Sequence, residues 1–146
     1  MTEITDIFGP PISSYSRAQA IADGFLVDLS RSKEAREAGF VWPIAMTIAA
    51  YEATIAAGGT WEPIEGTDGE TQLVLPGGQS PAGRLWDVLW MLKLAIKAQG
   101  GGRILEFSVF TDVRGDGRKV RMRLRSVAGP GDTAAPVITI MLATED

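Results

Sequence analysis

The stretch SPAGRLWDVLWMLKLAIKAQG, residues 80–100, constrains the fold more than any other part of the chain. Ser80 offers a side-chain acceptor for an N-cap, and Pro81 brings a preset φ to the first helical position. Gly100 can adopt the left-handed conformation that closes a helix. Between these signals Leu85, Val88, Leu89, Leu92 and Ile96 recur at helical spacing, while Trp86, Trp90 and Leu94 widen the stripe past half the circumference. A helix this apolar is expected to be mostly buried, so the rest of the chain must supply a layer to cover it.

That layer follows at once. RILEFSVFTDV, KVRMRLRSV and PVITIML are β-branched and aromatic runs separated by the turn clusters GDG and GPGD. The expectation is a single α+β domain over residues 1–146: a C-terminal antiparallel sheet of three or more strands, packed on a central buried helix, with short N-terminal helices. A length of 146 residues suits one domain.

The segments before the helix are less regular. Ser14 or Ser16 can cap a short helix ending at Gly24, and FLVDLS reads as a short strand. RSKEAREAG reads as a charged surface helix from Ser30 or Ser32 to Gly39, with Lys33 and Glu37 at i,i+4 spacing. Ile44, Ile48, Tyr51 and Ile55 recur at helical spacing behind Pro43, predicting one helix that Gly58-Gly59 ends. Residues 59–80 read as a long acidic, Gly- and Pro-rich loop with TQLVL as a short edge strand.

KVRMRLRSV, residues 119–127, alternates cation with hydrophobe. Lys119, Arg121, Arg123 and Arg125 fall on one face, the three arginines extending over about 13 Å. If Asp116-Gly117 makes a two-residue hairpin turn, Thr111 opposes Met122, Val109 opposes Leu124, and Arg121 opposes Asp112. Arg123 then lies against Phe110, within reach of a cation–π contact. Two readings follow. One is a solvated sheet face whose cations Asp112 and Glu106 partly neutralise. The other is a face that binds an anion or a partner, since arginine forks match carboxylate and phosphate.

The net charge of −4 is unevenly spread: residues 1–80 carry four cations against eleven acids, residues 81–146 ten against seven. The acidic front half argues against wrapping nucleic acid with the whole surface but leaves a local basic patch open.

Cysteine and histidine are both absent. Thiol nucleophiles, disulfides, Cys/His zinc sites and Ser-His-Asp arrangements are therefore excluded, and catalysis would fall to carboxylates, Lys, Tyr or a hard metal. GTDGE, with Asp68 and Glu70, lacks the ligand spacing of a calcium loop. QGGGR follows a helix where a phosphate cradle would precede one, and PGGQSPAGR lacks the lysine of a P-loop. Asp87 among tryptophans could have a raised pKa, but an ion pair with Arg84 at i,i+3 spacing is the preferred reading. Tyr15 and Arg17 could form a small polar site, with nothing else converging on them. No catalytic residue, metal site or cofactor is expected. The acidic, Pro-broken start is no signal peptide and no apolar run spans a bilayer, so a cytoplasmic protein is expected.

IFGPPISSYSRAQAIADGFLVDLS, REAGF, GRLWDVLWMLKLAI and GPGDTAAPVITIML together resemble a family of small proteins encoded by phages, plasmids and other bacterial mobile elements. The resemblance covers most of the chain and carries no established activity, so no site residue is transferred. It implies an accessory protein that acts by binding, by analogy with inhibitors of host defence such as anti-CRISPR proteins. The functional expectation is therefore non-enzymatic binding of a protein partner through Lys119, Arg121, Arg123 and Arg125. A nucleic-acid-associated regulator using the same strand is the alternative.

Overall fold

The computed structural model describes residues 15–146. Its first elements are short: α1 (Arg17–Ala22), β1 (Leu26–Asp28), α2 (Lys33–Ala38), β2 (Ile44–Thr47) and α3 (Ile48–Ala53). A hairpin of β3 (Thr60–Pro63) and β4 (Thr71–Val74) precedes the long helix α4 (Pro81–Gln99). Three long strands complete the chain: β5 (Ile104–Thr111), β6 (Val120–Pro130) and β7 (Pro136–Leu142).

The architecture is α+β. A five-stranded sheet in the order β1-β2-β7-β6-β5 packs against α4, and β3-β4 forms a separate two-stranded sheet. All pairs in the main sheet are antiparallel except β2 with β7, which run parallel with Ile44 against Ile138.

The caps of α4 are those expected. The Ser80 hydroxyl accepts from Gly83 N–H at 2.9 Å, and Gly100 sits at φ 79°. Ser16 and Ser32, not Ser14 or Ser30, cap α1 and α2. Ser14 lies outside the described residues.

The core joins one face of α4 to one face of the sheet. Val88, Leu89 and Leu92 meet Phe107, Val109, Leu124, Ile138 and Ile140, with Ile44 and Met46 of β2 completing the layer. The period-two alternation of β5 places Leu105, Phe107, Val109 and Thr111 inward and Ile104, Glu106 and Phe110 outward. Among the described residues no helix lies over that outward side of β5 and β6, where Ile104, Phe110, Arg121 and Arg123 are exposed.

Four expectations are corrected. The stretch behind Pro43 is a strand before it is a helix. Ile44, Ala45 and Met46 are all buried, and their backbone joins the sheet between β1 and β7 before Thr47 caps α3. The three apolar positions in a row reflect a strand covered on both faces, which helical spacing alone does not distinguish. The acidic loop 59–80 contains a hairpin, with Trp61 opposite Leu73, and not one isolated edge strand.

Helix α4 is also less buried than its sequence implies. Trp90 is 39% and Leu94 41% exposed, because the sheet and α2 cover only one side. Trp86 and Trp90 stack with centroids 5.6 Å apart, and Lys93 lies 5.4 Å above the Trp90 ring. This is the cation–π contact found, in place of Arg123 on Phe110.

The register of β5 with β6 differs from the expected one by two residues. Thr111 pairs with Val120, Val109 with Met122 and Phe107 with Leu124. A shift of two preserves which residues face inward, so the core is the expected one while every cross-strand neighbour changes. Among the described residues, no helix is long and apolar enough to cross a membrane.

Burial predicts unequal costs along α4. Leu92→Ala should destabilise the fold by about 2–5 kcal/mol, since it empties a fully buried position. Leu94→Ala, on the open side, should cost less than about 1 kcal/mol. Urea unfolding of both variants measures the difference.

Candidate partner-binding face

The outer face of β5 and β6 holds the arginines in a different arrangement from the expected row. Lys119 precedes β6 and leaves the face altogether. It lines a small cleft with Arg84, Asp87, Thr111 and Asp112, at the loop end of the sheet.

The remaining three cations have three different environments. Arg121 lies opposite Phe110, and its Nε donates to the Ser108 hydroxyl at 3.0 Å. Arg123 lies opposite Ser108 and pairs with Glu106 at 3.3 Å, both side chains well exposed. Arg125 is half-buried; its guanidinium donates to the Glu145 carbonyl and lies 3.1 Å from the Met141 sulfur. Arg125 therefore anchors the C-terminal turn, where the Glu145 carboxylate also accepts from Thr47 and from the Leu142 amide at 2.7 Å each. Arg121 and Arg123, with Glu106, Phe107 and Ser108, line a shallow depression of about 380 Å³.

The new register has a local cause in Asp112. Its carboxylate accepts from the amides of Gly115 at 2.8 Å, Asp116 at 3.2 Å and Gly117 at 2.9 Å. An aspartate that gathers three loop amides stabilises a wide connection over 112–119, and it cannot face Arg121. Neighbouring loops hold the connection from outside. A Cβ on Gly77 would come within 2.9 Å of the Gly115 Cα, and one on Gly58 within 1.9 Å of the Val113 carbonyl oxygen. Both glycines have positive φ, so backbone packs on backbone there.

Arg84 ties this end of the molecule together. It is 6% exposed, and Asp87 is not its partner. One terminal nitrogen donates to the carbonyls of Thr54, Ile55 and Ala57, the last at 2.6 Å, and the other donates to the Asp112 carbonyl at 2.7 Å. Its Nε donates to Gln79, whose own amide reaches the same Asp112 carbonyl at 2.8 Å. Burial pulls the guanidinium pKa down, and the Asp112 charge acts in the opposite sense. The role is structural: a planar fork that satisfies carbonyls from two loops.

Desolvation at the rim of the same cleft raises the Asp87 carboxyl above its ordinary range, and the charge of Lys119 opposes that shift. The expected Arg84–Asp87 pair is therefore corrected: Arg84 is taken up by loop carbonyls, and Lys119 is the charged neighbour of Asp87.

Tyr15 and Arg17 do have partners, which no local sequence signal pointed to. Asp132, in the turn between β6 and β7, accepts from the amides of Arg17 at 2.6 Å and Ala18 at 3.1 Å, capping the first turn of α1. The Arg17 guanidinium crosses to the Thr139 hydroxyl at 2.6 Å and the Ile138 carbonyl at 2.7 Å, and Tyr15 donates to Asp23. These contacts pin α1 on the outer face at the β7 end. More than a hundred residues separate Arg17 from Asp132, Ile138 and Thr139, so sequence spacing carries no trace of those contacts, whereas Asp23 lies only eight residues from Tyr15.

Asp68 and Glu70 lie at the exposed tip of the β3-β4 hairpin. Among the described residues, no three carboxylates come together as a group able to hold a metal ion.

The arrangement defines a small α+β domain with one sheet face packed and part of the other left open. The chain belongs to a family of unknown function, DUF6573, whose profile matches residues 3–146. No curated protein and no solved structure matches it.

Two predictions test this description. Arg84→Met should destabilise the fold by about 2–4 kcal/mol, because it leaves buried carbonyls without donors, and Arg84→Lys should recover only part of that loss. Urea unfolding measures both. The Asp87 pKa is raised in the folded state, so the stability linked to its protonation is full below the unfolded carboxylate pKa. It is lost as pH rises through the folded value. Asp87→Asn should therefore stabilise the protein at neutral pH and have less effect under acid conditions, as read by thermal unfolding across pH.

Proposed function

We propose that this chain is a non-enzymatic accessory protein of a phage or other bacterial mobile element. It acts by binding an acidic protein partner through the outer face of β5 and β6. The observation that carries the reading is the company Arg121 keeps. It stands exposed beside Phe110, with Ser108 as its hydrogen-bond partner, while Phe110 is 55% and Ile104 59% exposed.

An exposed arginine next to an uncovered aromatic side chain is the composition enriched at protein interfaces. Arg121 would bind a carboxylate of the partner with a forked contact, and Phe110 opposite it would lose water against the partner's apolar surface. Glu106 already occupies Arg123, so a partner meets one free cation and one ion pair in place of a continuous basic stripe. That local charge pattern favours protein over nucleic acid, whose phosphates call for several unpaired cations in line.

The context of a mobile element rests on the resemblance of the sequence blocks quoted above to proteins of that origin. Inhibition of a host defence complex, in the manner of anti-CRISPR proteins, is the specific form of binding we favour. It asks for surface complementarity and no chemistry of its own, which suits a chain without cysteine or histidine.

The test is affinity capture from a bacterial host with tagged wild-type chain and with the variants Arg121→Glu and Phe110→Ala, read by mass spectrometry. A protein retained by wild type and lost by both variants is the expected result. Recovery of nucleic acid, with affinity falling steeply as salt rises, would favour the alternative regulator. Equal retention by all three chains would remove this face from the function.

A further inference from the structure

The outer edge of the sheet carries an inference that does not depend on the identity of any partner. Strand β5 is the terminal strand, eight residues long, and among the described residues it pairs only with β6. The direction of its backbone groups follows from two bonds. Ala128 N–H donates to the Arg103 carbonyl at 2.8 Å, so Arg103 and alternate residues after it point at β6. Ile104, Glu106, Ser108 and Phe110 therefore direct their N–H and C=O groups away from the sheet. Consistent with this, the Gln99 side chain reaches the Glu106 carbonyl at 3.0 Å from outside.

Long free edges are ordinarily blunted by proline, lysine, a bulge or an overlying segment. Between Ile104 and Thr111 there is neither proline nor lysine. Gln99 covers a single carbonyl. The opposite edge, β1, is only three residues long and so protects itself by brevity.

The side chains select what can pair here. A second copy of β5 running antiparallel must match outward-pointing backbone groups with their equivalents, which leaves three centred registers. A two-fold axis at Glu106 sets that carboxylate against itself. An axis at Ser108 sets Phe110 against Glu106 and Ile104 against Asp112. An axis at Phe107 sets Ile104 against Phe110 and Glu106 against Ser108, and does so twice by symmetry. Only this last register joins the two exposed apolar residues of the strand and separates like charges.

The flank of α4 nearest this edge fits the same arrangement. Asp87, Met91, Leu94 and Ala98 follow one another at helical spacing, on the flank away from Lys93 and Ile96, which lie beside α2. Asp87 lines the same cleft as Phe110, which places that flank on the β5 side. It presents Leu94, 41% exposed, and the small Ala98 to an approaching copy.

We propose that β5 is a homodimerisation edge. Two copies pair antiparallel through Ile104–Thr111 with the two-fold axis at Phe107, making one continuous ten-stranded sheet from the two five-stranded ones. Pairing exchanges the Gln99 bond on the Glu106 carbonyl for the Ser108 amide of the other copy. It also sets two Arg121 and Phe110 patches side by side on one surface.

Sedimentation equilibrium of the purified chain over a range of concentrations tests the proposal without any other protein present. The expected result is a dimer that dissociates on dilution; a monomer at every concentration would overturn it. Ser108→Pro removes one outward N–H and leaves the β6 bonds intact, so it should weaken the dimer by about tenfold or more. An unchanged dissociation constant in a folded Ser108→Pro variant would also overturn it.

The register is tested separately, because the native chain has no cysteine. Glu106→Cys protein mixed with Ser108→Cys protein should form the mixed disulfide under mild oxidation in preference to either symmetric one. Preferential 106–106 or 108–108 bridges would sink the Phe107 axis. None of these readouts involves the proposed partner, so the two ideas fail independently.

Discussion

Helix α4 covers one face of the sheet, and the rest of the molecule follows from that one-sided burial. Leu89 and Leu92 are fully buried against Phe107, Leu124 and Ile140, each such side chain contributing about 1.5–3 kcal/mol of apolar transfer. A single helix cannot also cover the other side, and α1 reaches only the β7 end of it, held by Arg17 and Asp132. Among the described residues, what is left uncovered is the outward face and free edge of β5 with the adjoining half of β6. Ile104 and Phe110 stand exposed at the two ends of that strand, as Phe25, Val41 and Trp61 do elsewhere on the surface.

Much of this plan was legible in the chain. The α4 boundaries were readable because caps are local: Ser80 bonds an amide three residues ahead, and Gly100 supplies its own backbone conformation. The inward and outward faces of β5 and β6 were equally readable, since alternation survives any even shift of register. What the sequence did not disclose depends on residues far apart. Ile44, Ile48, Tyr51 and Ile55 fit a helix by spacing, and only the presence of β1 and β7 on either side turns Ile44–Thr47 into a strand. The convergence of Arg17 on Thr139 and Ile138 was invisible for the same reason.

The candidate face shows how one residue redistributes a charge pattern. The Asp-Gly pair at 116–117 invites a tight turn, yet Asp112 gathers three amides of the loop while Arg84 and Gln79 hold its carbonyl. With Asp112 so engaged, the ladder closes at Thr111–Val120 and Lys119 falls outside it, toward Asp87. Four cations that alternate evenly in the sequence thus acquire four environments. Lys119 stands in a cleft, Arg121 is exposed on serine, Arg123 is paired with glutamate, and Arg125 lies folded onto the C-terminal turn.

On the proposed function, recognition by this surface would be a matter of shape joined to a single charge. A stripe of unpaired cations would attract any polyanion over a Debye length of about 8–10 Å, with little regard for its form. On the proposed reading, the exposed Arg121 guanidinium beside Phe110 acts at contact, where a partner's carboxylate would arrive together with apolar surface to match. The acidic remainder of the chain repels polyanions that lack such a surface. The way loop 112–119 sets the register fixes that arrangement, and Asp112 and Arg84, which hold the loop, lie at the end of the sheet away from Arg123 and Glu106.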